Sequence, residues 1–180
     1  MIGIINNGLR ELILTKYGAE AWDLAKSLIG FEEKTFALNK DYPDELTTAL
    51  FKAAVEACKI SEEEIMVEFG KFMVPNFFKK YYSSYFVSAG SSPRELLLSM
   101  NSIHEKVGRD FPGAEPPRFE YEQPPDGRLL MHYYSKRQLC AVLRGMILGV
   151  GALFNQDLKV TEKQCTRKGD SHCVIEVAFP

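Results

Sequence analysis

In the stretch MHYYSKRQLC, Met131 to Cys140, three residues able to donate hydrogen bonds recur at every second position: Tyr133, Ser135 and Arg137. In a strand, successive side chains alternate faces, so these three point the same way. Two hydroxyls and a guanidinium make a donor set for an anion carrying several oxygens. The plainer reading is a surface strand with an ordinary arginine ion pair. A second candidate is His104. Leu97, Met100, His104 and Val107 recur at helical spacing, with Leu96 and Ile103 beside them, so the imidazole sits in an apolar stripe. Such a histidine is either a core residue satisfied by backbone partners or an axial metal ligand in a dry pocket. A third group is sulfur: Cys140, Cys165 and Cys173, able to act as buried thiols or as metal ligands.

The elements that must position these residues follow from periodicity. NGLRELILTKYGAEAWDLAKSLIG gives a helix, a break at Gly18 and a second helix. DELTTALFKAAVEACKI is an amphipathic helix carrying Cys58 in the core. Ser61 and Glu64 form a capping box for the next helix, which Pro75 is expected to end. NFFKKYYSSYF is a short aromatic helix. Ser92, Pro93 and Glu95 start a helix through PRELLLSMNSIHEKVGRDF. PGAEPP is irregular. RFEYEQ and RLLMHYYS form a hairpin about PPDG. KRQLCAVLRGMILGVGALFN is a largely buried helix, and DLKVTEKQCT pairs with HCVIEVAF across RKGD. Helices followed by ββαββ predict an α+β fold: a helical N-terminal part on an antiparallel four-stranded sheet with an inserted helix.

The 180 residues suit one domain with a sizeable core. A formal net charge of −2, with basic residues spread along the chain, argues against a nucleic-acid partner. The start MIGIINNGLRELIL has no basic region and no cleavage site, so no secretory leader is expected. The longest apolar run, AVLRGMILGVGALF, is interrupted by Arg144 and is too short to span a membrane. The expected location is the cytoplasm, where the four cysteines are reduced.

IHEKVGRDFPGAEPP followed by YYSKR resembles the signature of the haem–nitric oxide/oxygen-binding (H-NOX) domains, related to the haem domain of soluble guanylate cyclase. In that family a histidine precedes a double proline and then Tyr-x-Ser-x-Arg. MIGIINNGLRELI and YGAEAW also resemble the family's opening, so the likeness spans essentially the whole chain. It implies a single domain over residues 1–180, with a distal helical subregion of about 1–65, a proximal one of about 66–180 and haem b buried between the two parts. His104 would ligate the iron. Tyr133, Ser135 and Arg137 would hold the propionates, and Pro117 would bend the porphyrin. Ile5, Leu9, Met73, Met100, Ile103, Val142 and Met146 would touch the haem.

Members that hold dioxygen use a distal tyrosine, and the matching position here is Val142. The resemblance therefore implies a sensor of nitric oxide and carbon monoxide that excludes dioxygen, with Tyr81, Tyr82 and Tyr85 as the tyrosines able to intrude. Signalling would follow when the His104 bond breaks and its helix is released. With no output domain in 180 residues, the signal would pass to a separate histidine kinase or cyclic-dinucleotide enzyme. Some members carry a structural zinc on cysteines matching Cys140, Cys165 and Cys173. Their fourth ligand, a histidine, is Glu162 here, and His172 is the alternative. Two other readings stay open from the residues: a haem-free small-molecule or zinc-binding module, and a haem enzyme, for which neither His132 nor His172 is well placed.

Overall fold

The computed structural model describes residues 1–38, 40–81, 83–84, 90–111 and 115–180. Tyr82, Tyr85 and residues 112–114 of the proline-rich segment lie outside the described residues. The fold is α+β. The chain divides into two compact units, Met1–Phe69 and Gly70–Pro180.

The first unit holds α1 (Gly3–Lys16), α2 (Ala19–Leu28), α3 (Asp44–Cys58) and most of α4 (Glu62–Met73). Gly18 separates α1 from α2 with φ of 88°, a left-handed backbone that favours glycine. Ile4, Leu9, Leu12 and Ile13 of α1 are buried, as are Trp22 of α2 and Leu50 and Phe51 of α3. The capping box at α4 is formed: Ser61 N–H donates to Glu64 Oε2 (2.8 Å) and Glu64 N–H to Ser61 Oγ (3.2 Å). Buried Asn7 ties α1 to the following loop, accepting from Phe36 N–H (3.2 Å) and Thr35 Oγ1 (2.6 Å). That loop also brings the Ala37 carbonyl so close to Gly3 that a Cβ there would lie 2.1 Å from the oxygen. Gly3→Ala must therefore displace backbone on both sides. We expect it to cost ~1–3 kcal/mol of stability, measured by urea unfolding.

In the second unit, α4 does not stop at Pro75. It widens into a π-helical turn, Val74–Phe78, and continues helically to Tyr81. Proline has no N–H, and its ring crowds the carbonyl four residues back; the wider turn relieves both demands. Asn76 Nδ2 donates to the Phe72 carbonyl (2.9 Å) across this turn. The helix expected from Pro93 onward also departs from expectation. It forms as α5 (Pro93–Leu98) and α6 (Met100–Asp110), with a break at Ser99. Ser99 Oγ donates to the Glu95 carbonyl (2.8 Å), the kind of back-bonding that bends a helix.

The sheet has order β1-β2-β4-β3, all antiparallel: β1 (Arg118–Glu122), β2 (Leu129–Tyr134), β3 (Lys159–Gln164) and β4 (Cys173–Ala178). The inserted helix, α7 (Cys140–Leu153), carries buried Leu143, Ile147 and Val150. Alternation along β2 puts Leu129, Met131 and Tyr133 inward, where Leu96, Leu97, Ile147 and Ile175 complete the core. Among the described residues no helix is long and apolar enough to cross a membrane.

Candidate functional site

α6 carries His104, half-buried among Met100, Ile103 and Val107, which are also half-buried. Its Nδ1 lies 3.0 Å from the Pro117 carbonyl oxygen. A carbonyl only accepts, so this bond places the imidazole proton on Nδ1 and leaves the Nε2 lone pair free. Burial holds the His104 pKa below the usual histidine value, and the Pro117 bond opposes that only in part. The ring is therefore neutral at pH 7 and its free nitrogen is a donor to metal.

The ring also stacks on Phe119 (5.7 Å between centroids, 29°), and Phe119 in turn lies 5.5 Å from the Tyr133 ring. An aromatic ladder thus joins α6 to the donor segment through β1. Asn101, one turn before His104, fixes the same junction. Its amide donates to the Phe119 carbonyl (2.8 Å) and its Oδ1 accepts from Phe119 N–H (2.9 Å). The only sequence signal for Asn101 was its place three residues from His104, on the same helix face. Asn101→Ala leaves both backbone groups of buried Phe119 unpaired. We expect a loss of ~2–3 kcal/mol in thermal or urea unfolding.

The donor segment differs from the strand expected. β2 ends at Tyr134, and Ser135 to Gln138 form a turn. Arg137 N–H donates to Ser135 Oγ (3.2 Å), and Gln138 takes φ of 51°. A hydroxyl that captures a backbone N–H two residues on favours a turn over a strand ladder. Tyr133, Ser135 and Arg137 nevertheless line one pocket of about 570 Å³, together with Glu115, Thr166 and His172. Arg137 Nη1 donates to the Glu115 carbonyl at 2.8 Å, which draws the guanidinium across this pocket. Burial pushes the Tyr133 hydroxyl up to about 12, so it stays a protonated donor. Pro117, half-buried, holds α6 through its carbonyl as described above.

The apolar candidates are placed as follows. Ile5 (half-buried) and Leu9 (fully buried) are on α1 of the first unit. In the second unit Met73 and Val142 are buried, while Met100, Ile103 and Met146 are half-buried against its core. Tyr81 is exposed.

The structure brings Cys140, Cys165 and Cys173 together: their sulfurs lie within 4.8 Å of one another, all buried, with Cys140 and Cys165 at 3.2 Å. Thr166 N–H donates to Cys173 Sγ (3.3 Å). Burial and the neighbouring sulfurs push the Cys140 thiol up to about 12. Glu162 and His172 are not grouped with the sulfurs. Glu162 Oε1 accepts from Lys168 Nζ (2.7 Å) and its Oε2 lies 3.7 Å from Arg144 Nε. His172 faces His132 and Ser171 instead. Cys58 is half-buried at the end of α3, away from the second unit's thiols in sequence.

Comparison with known proteins gives the family. Residues 2–162 match the family model for Haem-NO-binding domains. Soluble guanylate cyclase gcy-34 of Caenorhabditis elegans is 26% identical over 173 residues, 93% of this chain and 25% of that protein. Soluble guanylate cyclase gcy-35 of the same organism is 27% identical over 172 residues, again 93% of this chain and 25% of the relative. The chain thus spans about a quarter of the length of these relatives. In fold it resembles the crystal structure of an H-NOX protein from S. oneidensis in the Fe(II)NO ligation state, with TM-score 0.89, 18% identity and coverage of 100% of this chain and 99% of the other. A Cs H-NOX mutant structure gives TM-score 0.87 at 24% identity, covering 99% and 96%. With the family model covering nearly all of its length, the chain belongs to the Haem-NO-binding (H-NOX) family.

Proposed function

We propose that this chain senses nitric oxide through a haem b held by His104 and by the donors Tyr133, Ser135 and Arg137. The observation that carries this reading is the neutral imidazole of His104, its Nδ1 tied to the Pro117 carbonyl and its Nε2 lone pair free. The residues fit the group in two further respects. A porphyrin is an apolar disc with two carboxylates at one edge. Apolar side chains beside His104 suit the disc, and a pocket with two hydroxyls and a guanidinium suits the carboxylates. Bound haem would supply a ferrous iron able to take nitric oxide or carbon monoxide, with His104 as the residue that would hold it.

The chain's own residues decide selectivity and output. Bound dioxygen gains from a nearby hydrogen-bond donor, and nitric oxide depends on one far less. Within the second unit Val142, Met146 and Met73 offer none, and Met100, Ile103 and Pro117 are apolar as well. Dioxygen is therefore excluded. Asn101 would anchor α6 to β1 through its two bonds to Phe119, so a signal would be carried by the turn that holds His104. The distal subregion is about residues 1–65 and the proximal about 66–180. The proposed location is the cytoplasm, and the proposed receiver of the signal is a histidine kinase or cyclic-dinucleotide enzyme.

Three thiols supply three of the four donors of a structural zinc site. Glu162 would complete it by giving up Lys168 and Arg144. Metal analysis of protein purified without added zinc tests this; one zinc per chain is expected, and none contradicts it. For the sensor reading the test is a set of ferrous absorption spectra. After haem loading, air is expected to leave the spectrum unchanged and nitric oxide to shift it. A protein that stays colourless, or a shift in air, contradicts the reading.

A further inference from the structure

The outer face of the sheet carries a group of side chains outside the set assigned above to holding the haem. His132 lies on β2 between the inward-facing Met131 and Tyr133, so its ring stands on the opposite face. His172 immediately precedes β4. His132 Nδ1 is 2.9 Å from His172 Nε2, and the two rings lie 5.2 Å apart at 27°. The other nitrogen of each ring has its own polar neighbour. Glu122 Oε1 stands 2.9 Å from His132 Nε2, off the N–H direction. Ser171 Oγ stands 3.0 Å from His172 Nδ1. The Tyr134 ring backs His172 at 4.8 Å and 14°.

Two facing imidazole nitrogens this close need something between them. A single shared proton suffices, and so does a metal ion. Two metal–nitrogen bonds of about 2.0–2.1 Å, set between a right angle and a tetrahedral one, separate their donors by about 2.8–3.4 Å. The carboxylate of Glu122 favours the proton on His132 Nε2, which turns the Nδ1 lone pair toward His172. A ligating histidine whose second nitrogen faces a carboxylate is the usual outer arrangement at metal sites. Glu122 also offsets part of a dication's charge. The donors are borderline nitrogens, unlike the three buried sulfurs, and suit first-row dications such as those of nickel, copper and zinc.

We propose that His132 and His172 form a two-imidazole site for a transition-metal dication, joining β2 to the start of β4. His172 also lines the pocket of Tyr133, Ser135 and Arg137. The ion would therefore add positive charge to the wall of an anion-binding pocket.

Ni²⁺ is the suitable probe, because unlike Cu²⁺ it does not oxidise the thiols. Tag-free, haem-loaded protein is titrated by calorimetry and followed by thermal unfolding. Compared with the parent, His132→Ala and His172→Gln are each expected to lose one equivalent of Ni²⁺ or to weaken it at least ~tenfold. The rise in Tm with Ni²⁺ should shrink to match. Should one variant fail to fold, the other gives the answer, since the two lie on different segments. Undiminished binding in a folded histidine variant, or no Ni²⁺ binding by the parent, overturns the proposal and leaves a proton-shared pair.

Discussion

Replacing His104 with glycine is expected to strip the haem of its axial anchor. In plain buffer, His104→Gly should lose its haem at least ~tenfold faster than the parent when challenged with an apo-haem acceptor, and its ferrous Soret band should move. Free imidazole should enter the space left by the side chain and restore the parent's spectrum. The expectation rests on geometry particular to this residue. The Pro117 carbonyl fixes the ring tautomer, Phe119 stacks against the ring and α6 supplies the backbone. None of these depends on the imidazole being attached to the chain, so a diffusible one can take its place. The outer nitrogen's hydrogen bond is the orienting contact that ligating histidines commonly make. A variant whose spectrum matches the parent without imidazole removes His104 from its role.

The second large effect is expected at the other edge of the ligand. Arg137→Ala removes the one charged donor of the Tyr133, Ser135 and Arg137 set. Hydrogen bonds to charged groups contribute ~1.5–3 kcal/mol each, so haem affinity should fall ~10–100-fold. Lysine at this position should recover only part of the loss, because a point charge lacks the guanidinium's planar fork. Tyr133→Phe and Ser135→Ala should each cost less, since both side chains are neutral. The readout is the rate of haem transfer to an acceptor protein. An Arg137→Ala rate equal to the parent's would remove the guanidinium from haem binding and leave it a structural role, such as its bond to the Glu115 carbonyl.

Much of this arrangement is written in local sequence. Ser61 with Glu64, Ser92 with Pro93 and Glu95, and Gly18 mark helix ends by chemistry confined to a few residues, and the structure uses each of them. At α5, Glu95 reaches Ser91 N–H (2.6 Å), one residue further than the simplest capping box requires. Alternation along β1 and β2 also announced the first hairpin of the sheet, because a half-buried strand imposes a period of two. His104 stood out as an imidazole within an apolar stripe. The convergence of Cys140, Cys165 and Cys173 was foreseeable once the last two were placed across one hairpin.

What escaped the sequence depends on contacts between distant segments or on competition between bonds. Asn101 reads as an unremarkable polar helix residue until β1 arrives beside it. Gly3 reads as a poor helix former until Ala37 packs against it. Ser135 and Arg137 fit a strand by spacing, yet the Ser135 hydroxyl captures the Arg137 N–H and the strand gives way to a turn. Ser99 and Pro75 reshape helices whose apolar period runs on undisturbed. Glu162 occupies the place of a metal ligand, but its partners Lys168 and Arg144 come from six residues later and from α7.

The central claim is that the Nε2 of His104 is bonded to iron. It is tested most directly by resonance Raman spectroscopy of the ferrous protein loaded with haem, prepared with unlabelled and with ¹⁵N-labelled histidine. The account predicts an iron–imidazole stretching band that shifts with the label. In His104→Gly rescued by unlabelled imidazole, the band should lose that shift. A labelled protein whose band does not move, or a rescued variant whose band still carries the label, would contradict it.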